Sequence, residues 1–84
     1  MDLSLKEKTE LEYRDGGSDK LYTAMMYKGT DERYYVLFTY GKRYGYQNRV
    51  EKHFHEGVPY GEALGIYQEM IDKKRKKGYV DKNN

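Results

Sequence analysis

Tyrosine supplies much of the apolar surface of this chain, and its distribution limits the folds that the chain can adopt. Eleven of the 84 residues are tyrosine, and hydrophobic residues of all kinds make up only 37% of the sequence. Tyrosine favours half-buried sheet, because its ring packs inside while its hydroxyl reaches water at the edge. A chain of this length has room for one core. We therefore expect one folded domain over residues 1–84 that contains a tyrosine-rich sheet.

Four short stretches have the alternation, or the β-branched and aromatic content, that is typical of strands, and turn residues follow each of them. These predicted strands cover residues 5–13, 21–28, 34–40 and 46–55. The run from Tyr34 to Tyr40, closed by Gly41, has the strongest strand pattern and is predicted to be central. The stretch 21–28 carries apolar residues on both of its faces. Either both faces are at least partly covered by other parts of the protein, or the exposed tyrosines along one edge have a function. The short connections favour a meander.

A helix is predicted from about Tyr60 to Lys77, with Pro59 at its entry and Gly78 just past its end. One apolar stripe recurs at spacings of three and four and is expected to lie on the sheet: Ala63, Leu64, Tyr67, Met70, Ile71 and Lys74. Gly65 weakens this helix by about 1 kcal/mol relative to alanine unless it allows close approach to a strand. The fold class is therefore α+β, and residues 81–84 are expected to form a flexible tail.

The segment from Tyr35 to Gly45 resembles the central strand of the WGR domain family, which is named for the Trp-Gly-Arg sequence at its end. Here that signature is Tyr40-Gly41-Lys42. Three other segments resemble family motifs in the same order: residues 18–22, 50–54 and 76–79. The resemblance implies an antiparallel sheet of about four strands in meander order, with one C-terminal helix packed on one face. It also implies a binding module, since WGR domains of poly(ADP-ribose) polymerases contact DNA ends and neighbouring domains.

Two residues of the signature differ from the family pattern. Tyr40 keeps a flat ring that can stack on a sugar or a base, although with less area than tryptophan. Lys42 keeps the positive charge but lacks the planar fork of arginine, so a bidentate contact is not carried over. Arg43 is a candidate to compensate, although neighbouring strand residues face opposite ways.

The densest mixture of aromatic and basic residues follows the predicted central strand. Stacking rings and phosphate-pairing cations are the composition expected of a nucleic-acid-binding surface. The candidate residues are Tyr40, Lys42, Arg43, Tyr44 and Tyr46, with Arg49 and Lys52 as additional phosphate contacts. The alternative is a tyrosine-rich turn whose rings pack on the helix and whose cations are merely solvated.

The charge distribution favours an anionic partner for the second part of the chain. Residues 1–33 carry six basic and eight acidic residues, whereas residues 34–84 carry ten basic and six acidic ones. Five cations follow one another from Lys73 to Lys77. Consecutive helix residues point around the axis, and cations in the last turn complement the helix dipole, so we favour this structural interpretation over a phosphate-binding patch. Lys73 and Lys77 are candidates for auxiliary phosphate contacts.

Several classes of function find no support in the sequence. There is no cysteine, and no catalytic triad spacing, phosphate loop or zinc-hydrolase motif, so we expect no enzyme activity and no cofactor. Glu51, His53 and His55 share one face of a strand, but no convincing further metal ligand accompanies them. No apolar run approaches the roughly 18 residues of a membrane span, and Met1 begins no signal-peptide pattern, so a soluble, cytoplasmic protein without membrane contact is expected.

Two hypotheses about function remain. The first is a non-catalytic module that binds nucleic acid, DNA rather than RNA, by stacking on ends or single strands and by pairing with phosphates. The second is a protein-interaction module, including a homodimer, in which exposed tyrosines anchor the partner. The net charge of only +2 fits the second hypothesis somewhat better than a dedicated DNA binder.

Overall fold

A computed structural model describes residues 1–42, 49–51 and 56–82 of the chain. The protein is an α+β domain with an antiparallel sheet and one helix, as predicted. Its elements are β1 (Leu3–Asp15), β2 (Ser18–Gly29), β3 (Tyr34–Lys42), β4 (Arg49–Glu51), α1 (Tyr60–Lys76) and β5 (Val80–Asp81).

The first four strands form a meander, and their order in the sheet is β4-β3-β2-β1-β5. The predicted meander of about four strands is confirmed, and the short β5 adds to it on the outer side of β1. Val80 and Asp81 pair with Glu12 and Leu11, and the Lys82 amide donates to the Glu10 carbonyl at 2.8 Å. The expectation of a flexible tail over residues 81–84 is therefore wrong for residues 81 and 82, because backbone hydrogen bonds hold them against β1.

A two-residue turn fixes the register of β1 against β2. Asp15 pairs with Ser18, and Gly16 and Gly17 connect them. Gly16 has a φ of 60°, a left-handed conformation that costs glycine little and is required in tight hairpins. Because paired residues lie on the same face, this register puts Tyr13 beside Lys20.

The segment before the helix is attached to the start of β3. Tyr34 and Val58 exchange backbone hydrogen bonds of 2.8 and 3.0 Å, and the Arg33 guanidinium donates to the Gly57 carbonyl at 2.8 Å. A Cβ at Gly57 would lie 2.5 Å from the Arg33 Cβ, so only glycine allows this close approach. The helix therefore begins at a fixed place beside β3.

The predicted apolar stripe of α1 is the buried side of the helix. Ala63, Tyr67 and Ile71 are at most 5% exposed, and their spacing of four residues aligns them along one face. They pack with side chains of the first three strands, namely Leu11, Tyr22, Ala24, Met26, Val36 and Phe38. Residue Thr9 adds a polar contact, with its hydroxyl 2.6 Å from that of Tyr67. The core thus lies between the helix and one face of the sheet.

The two faces of the sheet have different surroundings. On β2, the buried residues Tyr22, Ala24 and Met26 face the helix, whereas Leu21 and Met25 point the other way and are half-buried. No helix or strand among residues 1–42, 49–51 and 56–82 packs on that second face. The strand stretch with apolar residues on both sides therefore has one side under α1 and one that no described element covers.

Candidate nucleic-acid interface

Two of the predicted site residues, Tyr40 and Lys42, lie at the end of β3. Both are on the helix side of the sheet, and both are exposed, Tyr40 by 40%. The backbone of Arg49 lies in β4, where its Cα is the partner of Tyr40. Outside the described residues lie the other four predicted site residues: Arg43, Tyr44, Tyr46 and Lys52.

A row of side chains crosses three strands at this end of the sheet. Tyr13 of β1 is paired with Lys20 of β2, and Lys20 is paired with Lys42 of β3. Both lysines are exposed, and neither forms an ion pair with a carboxylate of the described segments. Like charges directly opposite one another on neighbouring strands destabilise a sheet. An anion bound between Lys20 and Lys42 would remove that repulsion.

The next row toward the core is aromatic. Tyr22 and Tyr40 are cross-strand partners, and the Tyr22 ring stacks on Phe38 with centroids 5.9 Å apart. Tyr22 is only 1% exposed, whereas Tyr40 is 40% exposed. The buried ring thus forms part of the support on which the exposed Tyr40 is displayed beside Lys42.

Tyr79, which follows the helix, joins Tyr13 and Tyr22 in a ring cluster. The Tyr79 centroid lies 5.3 Å from that of Tyr13 and 6.2 Å from that of Tyr22. Two ammonium groups lie over these rings: Lys74 Nζ is 4.7 Å from the Tyr22 centroid and 5.8 Å from that of Tyr79, and Lys20 Nζ is 5.9 Å from that of Tyr13. These are cation–π distances. The end of the sheet therefore combines rings and cations from β1, β2, β3 and α1.

The position of Tyr79 follows from the way the helix ends. Gly78 has a φ of 108°, which only glycine adopts readily. The amides of Gly78 and Tyr79 donate to the carbonyls of Arg75 and Lys74 at 3.0 and 3.1 Å. A Cβ at Gly78 would lie 3.1 Å from Cε1 of Tyr13. The chain thus turns tightly past Tyr13 and delivers Tyr79 to the ring cluster.

The basic residues at the end of α1 do not all have the same role. Arg75 donates to both carboxylate oxygens of Asp81, at 3.0 and 2.9 Å, and this hydrogen bonding raises the pKa of the guanidinium. Arg75 therefore fastens β5 to the helix. Lys73 and Lys77 are exposed, and no carboxylate in the described segments forms an ion pair with either. Both stay available as the predicted auxiliary contacts.

An acidic border lies next to the ring cluster at the hairpin of β1 and β2. The Tyr13 hydroxyl donates to Asp15 at 2.9 Å, and this hydrogen bond, together with the carboxylate charge, raises the pKa of Tyr13. Arg14, which lies 3.7 Å from Asp19 and 3.4 Å from Glu12, alternates with Tyr13 along β1 and belongs to the other face of the sheet. A polyanion that contacts the lysines would therefore meet the Asp15 carboxylate on the hairpin side, and its favourable path leads toward Tyr40.

Four residues of this surface were missed by the sequence analysis: Tyr13, Lys20, Lys74 and Tyr79. A signal for Lys20 was present, because two central glycines between Asp15 and Ser18 define a two-residue hairpin. That register pairs Tyr13 with Lys20. The spacing of the helix stripe predicted that Lys74 faces the sheet, but no local signal indicates which rings Lys74 and Tyr79 contact, since those contacts depend on how the helix crosses the sheet.

Residues 1–42, 49–51 and 56–82 contain no group of three or more histidine, aspartate or glutamate residues placed to hold a metal ion. His53 and His55 lie outside these residues. No helix within the described segments has the length and apolar character needed to cross a membrane.

No protein-family model, no curated protein and no solved structure matches this chain. The resemblance to the WGR domain family consequently stays a prediction that depends on the sequence motifs.

Proposed function

We propose that this protein is a small non-catalytic module that binds nucleic acid through the end of the sheet where β3 finishes. The surface consists of exposed Tyr40 and of the lysine pair Lys20 and Lys42. We call it the Tyr40 surface. The nucleic acid is expected to be DNA, held at an end or as a single strand.

The observation that carries this proposal is the lysine pair. Lys20 and Lys42 are cross-strand partners, and they have no ion pair with a carboxylate of the described residues. Opposite lysines on neighbouring strands oppose folding by up to about 1 kcal/mol. A phosphate that bridges them converts this repulsion into attraction, and each phosphate contact also releases counterions.

The ring beside the lysines supplies the second interaction. Tyr40 is 40% exposed and lies next to Lys42 on the same face of the strand, so a base or sugar can stack on it while the phosphate meets the lysines. Stacking of this kind tolerates any base, because every base has a π face. Binding is therefore expected to depend strongly on salt and weakly on sequence.

The test is a salt titration of binding to a labelled single strand and to a blunt duplex, measured by fluorescence anisotropy. Replacing Lys20 and Lys42 together by alanine is expected to reduce the steepness of log K against log salt by roughly 0.7 for the single strand and 0.9 for the duplex, the values for the one phosphate that the two lysines bridge. Tyr40→Leu is expected to lower the affinity roughly tenfold, and Tyr40→Phe is expected to retain it.

Lys6→Ala is the matched control. Lys6 is an exposed lysine on the same strand as Tyr13, about 20 Å away along β1. Its removal lowers the total charge by the same amount as one of the site lysines but leaves the Tyr40 surface intact. If Lys6→Ala changes the salt slope as much as Lys42→Ala does, or if the wild type binds neither oligonucleotide at low salt, the proposal is wrong.

The second candidate function is a protein-interaction module, and the uncovered face of the sheet favours it. Leu21 and Met25 of β2 and Leu37 of β3 point to that face and are half-buried. The partner to test first is a second copy of the chain, because the apolar residues of β2 and β3 on this face can pack against the same residues of another copy. Light scattering across a range of concentrations decides this, and a constant monomer mass removes the homodimer.

A further inference from the structure

The ring cluster of Tyr13, Tyr22 and Tyr79 at the end of the helix lies beside the Tyr40 surface and is not part of it. Tyr13 and Tyr79 are both half-buried, with centroids 5.3 Å apart and ring planes inclined by 35°. Each ring therefore keeps part of its surface accessible. We propose that Tyr13, Tyr79 and Lys74 form a second subsite, which takes one further unpaired nucleotide of a single strand bound at the Tyr40 surface.

The rings are in place before any ligand binds. Gly78 brings the chain within contact of Tyr13, the Tyr79 amide is bonded to the Lys74 carbonyl, and the next residue, Val80, pairs with Glu12. Stacking on a ring that is already fixed avoids the entropy cost of ordering it, which otherwise reduces the affinity. The cluster is thus suited to accept a base without rearrangement of the backbone.

Lys74 provides the phosphate contact of this subsite. Its ammonium group lies over Tyr22 and Tyr79 and has no ion pair with a carboxylate in the described parts of the chain. A cation–π contact of this kind is weak compared with a charge-assisted contact to a phosphate. A phosphate near the cluster therefore draws the ammonium group toward itself and uncovers part of the Tyr79 ring for a base.

The charges around the ring cluster favour one path for a bound single strand across the protein surface. Lys20 lies over Tyr13 and is also the cross-strand partner of Lys42, so it belongs to both subsites. On the opposite side Tyr13 is bonded to Asp15, whose carboxylate repels a phosphate. A single strand therefore runs from the ring cluster across Lys20 to Tyr40, and it does not cross the hairpin.

This subsite depends on the proposed function, and oligonucleotide length separates the two. The probes are oligothymidylates of about two and about eight nucleotides, which are short and long relative to the site size of small single-strand binders. Tyr79→Leu is expected to weaken binding of the longer probe about tenfold and to leave the shorter probe nearly unchanged. Tyr79→Phe keeps the ring and is expected to bind both probes as the wild type does.

Lys74→Met tests the cation separately, because methionine retains a flexible apolar chain over the rings. The slope of log K against log salt for the longer probe is expected to fall by about 0.7, the value for one phosphate of a single strand. Tyr60→Leu is the matched control, since Tyr60 is a 51% exposed tyrosine at the other end of α1. Amide NMR spectra show whether each variant is folded.

The ring currents of Tyr22 and Tyr79 give a measurement that needs no variant. The ε-methylene protons of Lys74 are expected to resonate upfield in the free protein and to move downfield when the longer probe binds. Binding of the longer probe with equal affinity by the wild type, Tyr79→Leu and Lys74→Met overturns the subsite and leaves the proposed function standing. Failure of the wild type to bind either probe overturns both.

Discussion

Replacing Gly65 by alanine is predicted to stabilise the protein. Gly65 lies within α1 on its exposed side, between the buried positions Ala63 and Tyr67. Apart from its chain neighbours and the nearby backbone of its own helix, a Cβ at this position would have no atom of residues 1–42, 49–51 and 56–82 within 4 Å, and its φ is not in the left-handed region. No strand in the described part of the chain therefore comes close enough to require a glycine at this position.

The magnitude follows from the helix propensities. Alanine is about 0.8 to 1 kcal/mol more favourable than glycine in the interior of a helix, because glycine loses more backbone entropy on folding. Since the added methyl group would project into open space at Gly65, packing does not alter this value, and the free energy of unfolding is expected to rise by about that amount. For a domain of this size, the change corresponds to an increase in Tm of roughly 4 to 8 °C.

Urea denaturation followed by circular dichroism measures this change, and the m value is expected to stay constant because the fold is unaltered. Gly78→Ala is the matched comparison within the same chain. Its φ is 108° and its Cβ would lie 3.1 Å from the Tyr13 ring, so alanine there is expected to cost about 1 to 2 kcal/mol. The two substitutions are identical in chemistry and opposite in sign.

The result that refutes this reasoning is a Gly65→Ala variant with an unchanged or lowered free energy of unfolding. It would mean that the outer side of α1 is in contact with another part of the protein, or with a second copy, in solution. A rise that disappears with increasing protein concentration would identify the second copy as the cause.

Two further predictions concern hydroxyl groups. Thr9→Val removes the 2.6 Å hydrogen bond to the Tyr67 hydroxyl and is expected to lower the free energy of unfolding by about 1 kcal/mol, measured by urea denaturation; no loss would show that water replaces the threonine. The hydrogen bond from Tyr35 holds the pKa of Asp31 below its ordinary value of 3.8. Because this pKa is lowered in the folded state, the ionised Asp31 stabilises the protein at pH values above its ordinary pKa. This contribution is lost as the pH falls through the lowered pKa. Tyr35→Phe is therefore expected to raise the pKa of Asp31 and to reduce this loss in acid, as followed by NMR titration of its carboxyl carbon; an unchanged pKa contradicts the role of Tyr35.

Much of the fold could be predicted from periodicity along the chain. The spacing of Ala63, Tyr67 and Ile71 indicated the buried side of α1, and the alternation around Ala24 indicated the two faces of β2. Gly78 correctly marked the end of the helix. These signals are local, and the residues that produce them are close together in the sequence.

The pairing of β5 and the membership of the ring cluster were not predicted, for a physical reason. Val80 and Asp81 are two residues without a strand pattern, and they pair because the turn at Gly78 brings them to the free edge of β1. Lys74 and Tyr79 meet Tyr22 only because α1 ends above β2. Such contacts depend on how the helix crosses the sheet and where the chain returns to it. The spacing of hydrophobic residues along the sequence does not contain that information.

The same holds for the candidate site. Tyr40 and Lys42 were identified from composition and from the family resemblance, and the structure places them together on one exposed end of the sheet. Lys20 belongs beside them by register, yet it is about twenty positions away in the sequence. A site that is assembled across strands becomes visible only when the pairing of the strands is known.

The attachment of β5 gives the ring cluster an opening equilibrium of its own. Only two residues of β5 pair with β1, and the Arg75 pair with Asp81 is solvent-exposed, so this segment can detach while the four-stranded meander persists. Short, exposed segments of this kind open with free energies well below that of global unfolding. Each such event removes Tyr79 from Tyr13. Hydrogen exchange at the Lys82 amide, which is bonded to Glu10, reports how often the cluster is dismantled in an otherwise native protein.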